Sequence, residues 1–182
     1  MLILVTGGSR SGKSGYALER AVLGEGPRHF IATAQARDDE MARRIEAHKS
    51  ARPAGWELTE EPFDVTRALA AALGACRTVV VDCVTIWMSN LLLRDAGFGE
   101  AEAARHAEEL AAACARAPAA TVIVVTNEVG SGIVPDNELA RRFRDCAGRA
   151  NQVIGRAADE VQLLVSGVSL RIKPTKGEGF HG

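Results

Sequence analysis

The sequence predicts an α/β fold: one domain with a mostly parallel sheet flanked by helices. Three observations lead there. Short apolar, β-branched runs recur along the 182 residues and alternate with longer amphipathic stretches, the pattern of strand–helix–strand units joined by right-handed crossovers. The apolar runs are nearly continuous, as befits strands covered on both faces. The first run, Leu2-Ile3-Leu4-Val5, passes through a glycine-rich turn straight into a helical pattern.

Taken in order, Leu2–Thr6 reads as the first strand and Lys13–Leu23 as the helix after the glycines. His29–Ala32 is a second strand. Asp38–Ser50 reads as a helix because its opening Asp38-Asp39-Glu40 is acidic and its closing Arg43, Arg44, His48 and Lys49 are basic, which complements the helix dipole. Val65–Leu73 and Ile86–Arg94 are helical patterns on either side of the strand Thr78–Asp82. Glu100–Arg116 leads to the strand Thr121–Thr126. Asn137–Ala157 leads to Val161–Val165, and a shorter strand lies near Ser169–Ile172. No internal repeat or linker divides residues 1–173. The Gly- and Lys-rich stretch 174–182 reads as a flexible C-terminal tail.

Bulk composition narrows the function. Lys and Arg number 22 against 23 Asp and Glu, so no broad basic surface exists for nucleic acid or anionic lipid. The first apolar run is only a strand long and no basic stretch precedes it, so neither a signal peptide nor a membrane span is expected. Cys76, Cys83, Cys114 and Cys146 lack C-x-x-C spacing and sit mostly among apolar residues. They read as small core residues of a protein in a reducing, cytoplasmic compartment.

The chemistry begins at Gly7-Gly8-Ser9-Arg10-Ser11-Gly12-Lys13-Ser14, a match to G-x-x-x-x-G-K-[ST] between a strand and a helix. Glycines let the backbone turn several N–H groups toward one anion, and the helix N-terminus adds its positive dipole. Lys13 would reach the β- and γ-phosphates and Ser14 would hold Mg²⁺. This is the phosphate loop of a nucleoside-triphosphate-binding protein, and the fold expected with it is of the P-loop, RecA-like type. In open α/β sheets ligands bind at the carboxyl ends of strands, where Thr78-Val79-Val80-Val81 ends in Asp82. That carboxylate suits Mg²⁺, or else caps the following helix; the phosphate loop favours the metal. Asn127 and Glu128, after Val122–Val125, either touch substrate or end the strand in a turn. No N-K-x-D sequence occurs, so a guanine-reading switch protein is disfavoured.

Arg44 and His48 share a helix face at i,i+4, with Lys49 adjacent and Arg52 just beyond. Neighbouring cations keep an imidazole neutral and would bind a polyphosphate. A neutral imidazole beside bound phosphate is what nucleophilic attack on phosphorus needs. A solvated histidine at a helix end is the competing reading.

These residues resemble a known family, the bifunctional adenosylcobinamide kinase / adenosylcobinamide-phosphate guanylyltransferases of cobalamin biosynthesis. The resemblance runs from Met1 to about Lys173 and rests on three blocks: Ile3 to Ser14, Ile31 to Pro62 with its D-D-E-M…H-K…R-P…W…E pattern, and Val125 to Gln152. It implies phosphorylation of adenosylcobinamide by ATP or GTP. Transfer of GMP from GTP to adenosylcobinamide phosphate, through a guanylyl-histidine, would follow. His48 matches the nucleophile of the family's H-[KR] pair. Nucleotide contacts map onto Gly7 to Ser14, Thr33, Ala34 and Gln35, then Lys49, Ser50, Ala51 and Arg52, with Glu60 and Asp82. The resemblance also implies a homotrimer. A plain phosphate-loop kinase of some other small alcohol, forming no covalent nucleotide adduct, is the alternative reading.

Overall fold

The computed structural model describes residues 1–24, 26–36, 39, 43 and 55–173. Within them a seven-stranded sheet has the order β3-β2-β4-β5-β1-β6-β7. The strands are β1 (Leu2–Gly7), β2 (Arg28–Ala32), β3 (Trp56–Glu60), β4 (Thr78–Asp82), β5 (Thr121–Val125), β6 (Glu160–Val165) and β7 (Val168–Lys173). All neighbours pair in parallel except β6 and β7, which form an antiparallel hairpin at one edge. The described helices are α1 (Lys13–Val22), α2 (Val65–Leu73), α3 (Val84–Arg94), α4 (Glu100–Ala115) and α5 (Glu138–Ala157).

Side-chain alternation along the strands divides the core in two. Leu2, Leu4, Ile31, Val79, Val81, Val122 and Val124 pack with apolar residues of α2, α3, α4 and α5. Ile3, Val5, Phe30, Val80, Ile123 and Val125 pack with Ala17 and Ala21 of α1. The central strands are therefore buried on both faces, which is why they read as unbroken apolar runs. Helix starts follow their caps. The Asp64 carboxylate accepts from Arg67 N at 3.3 Å to open α2, and Asn137 Oδ1 accepts from Ala140 N at 3.1 Å to open α5.

Within the described residues, the expected strands and helices recur with boundaries shifted by a residue or two, and the sheet is mostly parallel as anticipated. One strand is additional. Trp56–Glu60 forms β3, an edge strand with three of its five residues exposed. An edge strand with two glutamates carries no apolar run, so its pattern is silent where β4 is loud. The helix expected over 38–50 and the tail over 174–182 lie outside the described residues. Among the described residues no helix is long and apolar enough to cross a membrane.

Candidate nucleotide site

The phosphate loop leaves the end of β1 in the middle of the sheet. Gly7 is buried at φ +149°, and a Cβ there would lie 2.3 Å from the Leu164 carbonyl oxygen of β6. Only glycine lets the loop depart so close to its neighbouring strand. Arg10 (φ 57°) and Gly12 (φ +95°) are left-handed, the alternation that turns successive N–H groups into an anion-binding nest. Gly12 precedes α1, so the dipole of that helix adds to the same field.

Lys13 is buried at the base of the loop, its Nζ donating to Gly8 O at 2.5 Å and to Ser11 Oγ at 3.3 Å. Burial lowers its pKa, while Cys83 and Asp82 act in the opposite direction. Ser14 Oγ donates to Asp82 Oδ2 at 2.7 Å. The two residues are 68 positions apart, and β5 stands between their strands in the sheet. Both are hard oxygen donors, the kind Mg²⁺ prefers, and they converge where phosphate oxygens would lie. The donor set fits the metal.

These groups open into a cleft of about 550 Å³ lined by Ser9 to Gly15, Phe30, Ala32, Ala34, Glu60, Asp82, Cys83, Ile86, Val125 and Asn127. The structure thus gathers Ser9, Arg10, Ser11, Gly12, Lys13, Ser14, Ala34, Glu60 and Asp82 around one space. Gly7 lies buried where the loop leaves β1, and the exposed Gly8 accepts from Lys13 through its carbonyl; neither lines the cleft. Gln35 follows Ala34, half-buried and outside the lining. Thr33 is wholly buried: its hydroxyl donates to Cys83 O at 2.9 Å and accepts from Cys83 N at 2.8 Å. It clamps the ends of β2 and β4 together beneath the cleft. His48, Lys49, Ser50, Ala51 and Arg52 lie outside the described residues.

Sequence reasoning left Asn127 between a substrate contact and a turn, and the structure puts it on the cleft wall. Its backbone N and Nδ2 both donate to Thr85 Oγ1, at 2.7 and 3.2 Å, and its carbonyl accepts from Asn151 Nδ2 at 3.1 Å. Thr126 Oγ1 in turn donates to Asn151 Oδ1 at 2.7 Å. This network fixes the end of β5 against α3 and α5. Phe30, Ala32, Ile86 and Val125 form the apolar part of the wall and were not singled out. The rule that ligands meet strand ends pointed to their neighbourhood, but only the folded register says which face they occupy. Cys83 also lines the cleft. Burial and the adjacent Asp82 push its thiol up to about 12, so it stays protonated and is no nucleophile at neutral pH.

A strand, a left-handed glycine loop, a buried lysine and a serine–aspartate pair at the strand ends define a P-loop nucleoside-triphosphate-binding enzyme of α/β architecture. The crystal structure of the RadB recombinase shares this fold, with a TM-score of 0.52 and 18% identity over 89% of this chain and 73% of that one. The family model described as cobinamide kinase / cobinamide phosphate guanyltransferase matches residues 3–172. The chain belongs to that family. It is 46% identical over 184 residues to the bifunctional adenosylcobalamin biosynthesis protein CobU of Salmonella typhimurium, covering 95% of this chain and all of that one. The corresponding CobU of Escherichia coli is equally similar. The bifunctional adenosylcobalamin biosynthesis protein CobP of Pseudomonas aeruginosa is 39% identical over 175 residues, covering 96% and 97% of the two chains.

Proposed function

We propose that the protein phosphorylates adenosylcobinamide with ATP or GTP and then guanylylates the product from GTP, giving adenosylcobinamide-GDP. The convergence of Lys13, Ser14 and Asp82 on one cleft, in a chain of this family, carries the reading. In the first step the hydroxyl oxygen of the aminopropanol arm attacks the γ-phosphorus, and the nucleoside diphosphate leaves. In the second, a neutral His48 nitrogen attacks the α-phosphorus of GTP and pyrophosphate leaves. The substrate phosphate oxygen then attacks the same phosphorus and the imidazole departs. Splitting one displacement into two keeps the energy of the α–β bond in a phosphoramidate.

The loop N–H groups, Arg10 and Lys13 bind the phosphate chain and offset the charge that builds on the leaving oxygen. Ser14 and Asp82 would hold Mg²⁺, which when bound neutralises phosphate oxygens and aligns them for in-line displacement. Glu60 and Asn127 face the same cleft as polar anchors for nucleotide or acceptor. The cation-rich stretch around His48, with Lys49 and Arg52, would hold the triphosphate in the second step. We further infer a cytoplasmic homotrimer, following the family resemblance; the mass measured by light scattering tests the trimer.

The test of the covalent step uses GTP labelled at the α-phosphate. The full-length protein is incubated with it and Mg²⁺, denatured and assayed for bound label. Acid-labile, base-stable label that pyrophosphate removes and His48→Ala abolishes is the expected result. Absence of label in wild-type protein that still binds GTP overturns the mechanism and leaves a simple kinase.

A further inference from the structure

Away from the cleft, three side chains of unlike chemistry converge on the other face of the sheet. His29 of β2 and Glu57 of β3 are register partners, so their side chains point the same way. Phe30 and Ala32, which alternate with His29, line the nucleotide cleft; His29 and Glu57 therefore face away from it. Cys76, in the turn between α2 and β4, reaches the same point. Its Sγ is 4.0 Å from Glu57 Oε2, and that oxygen is 3.2 Å from His29 Nδ1. One ligand atom from each residue lies within 4.8 Å of the others, the only such grouping among the described residues. A cavity of about 320 Å³, lined in part by His29, Glu57 and Thr59, opens beside them.

We propose that His29, Glu57 and Cys76 form a binding site for one thiophilic divalent cation of the Zn²⁺ type, with water from the adjoining cavity as fourth ligand. The distances come close already. Bonds of about 2.0–2.3 Å in a tetrahedral site set neighbouring donors roughly 3.3–3.7 Å apart. The nitrogen–oxygen pair is there at 3.2 Å, and the sulfur, 4.0 Å from the carboxylate oxygen, has a few tenths of an ångström to close on it and lies within 4.8 Å of the imidazole nitrogen. A thiol with an imidazole selects zinc-like ions over Mg²⁺, which keeps this site distinct from the oxygen pair at Ser14 and Asp82.

The outer shell is also present. His29 Nε2 lies 2.8 Å from Thr59 Oγ1. In the tautomer that donates from Nε2 to this hydroxyl, Nδ1 keeps its lone pair for the ion, the usual arrangement behind a ligating histidine. Burial and the Glu57 carboxylate push the Cys76 thiol up. The ion replaces the thiol proton, which passes to solvent as the sulfur–metal bond forms. His29 and Cys76 are buried whereas the Glu57 side chain is 64% exposed, so an ion enters from the Glu57 side. Once bound, it ties edge strand β3 to β2 and to the α2–β4 turn.

The test titrates the metal-free, untagged protein with Co²⁺ in excess Mg²⁺, following the thiolate-to-cobalt charge-transfer band, with Zn²⁺ as competitor. The expected result is one equivalent bound, a band absent in Cys76→Ser and intact in Cys114→Ser. Thr59→Val weakens binding by about 10–100-fold, the usual cost of an outer-shell partner, and Glu57→Gln weakens it too. Zn²⁺ raises the melting temperature of the wild type and not of Cys76→Ser. Glu57 is exposed, so Glu57→Gln folds and carries the test even where Cys76→Ser does not. No band in the wild type overturns the site, as does a band unchanged in Cys76→Ser or Zn²⁺ affinity unchanged in Glu57→Gln.

Discussion

Asn90 of α3 joins two places that are far apart in the chain. It is buried, and its Nδ2 donates to Thr33 O at 2.8 Å and to Pro62 O at 3.2 Å. Thr33 directly follows β2 and Pro62 follows β3, so one side-chain amide holds both ends of the excursion that includes His48. Asn90→Leu keeps the number and branching of the side-chain heavy atoms and removes the donors, leaving one buried and one half-buried carbonyl unpaired. Each unpaired buried group costs about 1–3 kcal/mol. Carbonyls tolerate this better than N–H groups, which places the loss at about 2–4 kcal/mol for the two. In a domain of this size each kcal/mol moves the midpoint by about 2–4 °C, so the melting temperature falls by roughly 4–16 °C. Circular dichroism against temperature and urea reads this, with the urea slope unchanged because the same surface is exposed. If the proposed guanylylation of His48 holds, it falls further than GTP affinity does, because the phosphate loop is untouched. A loss below about 1 kcal/mol, with guanylylation intact, refutes the idea that this amide sets the geometry of the excursion.

Two more outcomes are expected. Asp82→Ala removes the partner of Ser14 Oγ and the carboxylate facing the nucleotide cleft, so both the kinase and guanylyl steps slow by about 10²–10³-fold at unchanged melting temperature; steady-state and adduct assays measure each step. His106 packs against Trp87 and Phe98, with ring centroids 5.7 and 6.0 Å away, and burial followed by Arg105 lowers its pKa from the usual 6.5. The unfolded chain thus takes up this proton first. Its contribution is fully present above pH 6.5 and is lost as pH falls from there through the lowered folded value. Urea midpoints measured from pH 8 to 5 decline in the wild type, and His106→Gln flattens the decline; equal slopes refute the assignment.

What could be read from the chain follows from how local each signal is. The phosphate loop is contiguous and its chemistry is carried by residue type, so Gly7 to Ser14 was legible at once. β4 was legible because Thr78 and three valines precede an acid, and α2 because Val65–Leu73 keeps a helical spacing of apolar residues. β3 was not, since an edge strand half in solvent needs no apolar run. The polar pairs beneath the cleft were hidden for another reason. Thr33 with Cys83, Thr85 with Asn127, and Asn151 with Thr126 are each separated by 25 to 50 residues, and no periodicity announces which buried polar group will find which partner. Ser14 and Asp82 were both named from the sequence, but their 2.7 Å contact needed the sheet order.

That order also governs when the site comes into being. β1 pairs with β5 and β6, whose residues begin at Thr121 and Glu160. At a synthesis rate of about 5–20 residues per second, roughly 8–30 seconds separate the emergence of β1 from that of β6. Until β5 emerges the strand bearing the phosphate loop has no neighbour on either side, and until β6 emerges one side stays open; closing such long-range pairs is slow. Gly7 reaches its final path only once Leu164 is in place beside it. A nucleotide therefore meets a competent loop after the far half of the chain has arrived, which makes its binding a reporter of finished folding rather than a template for it.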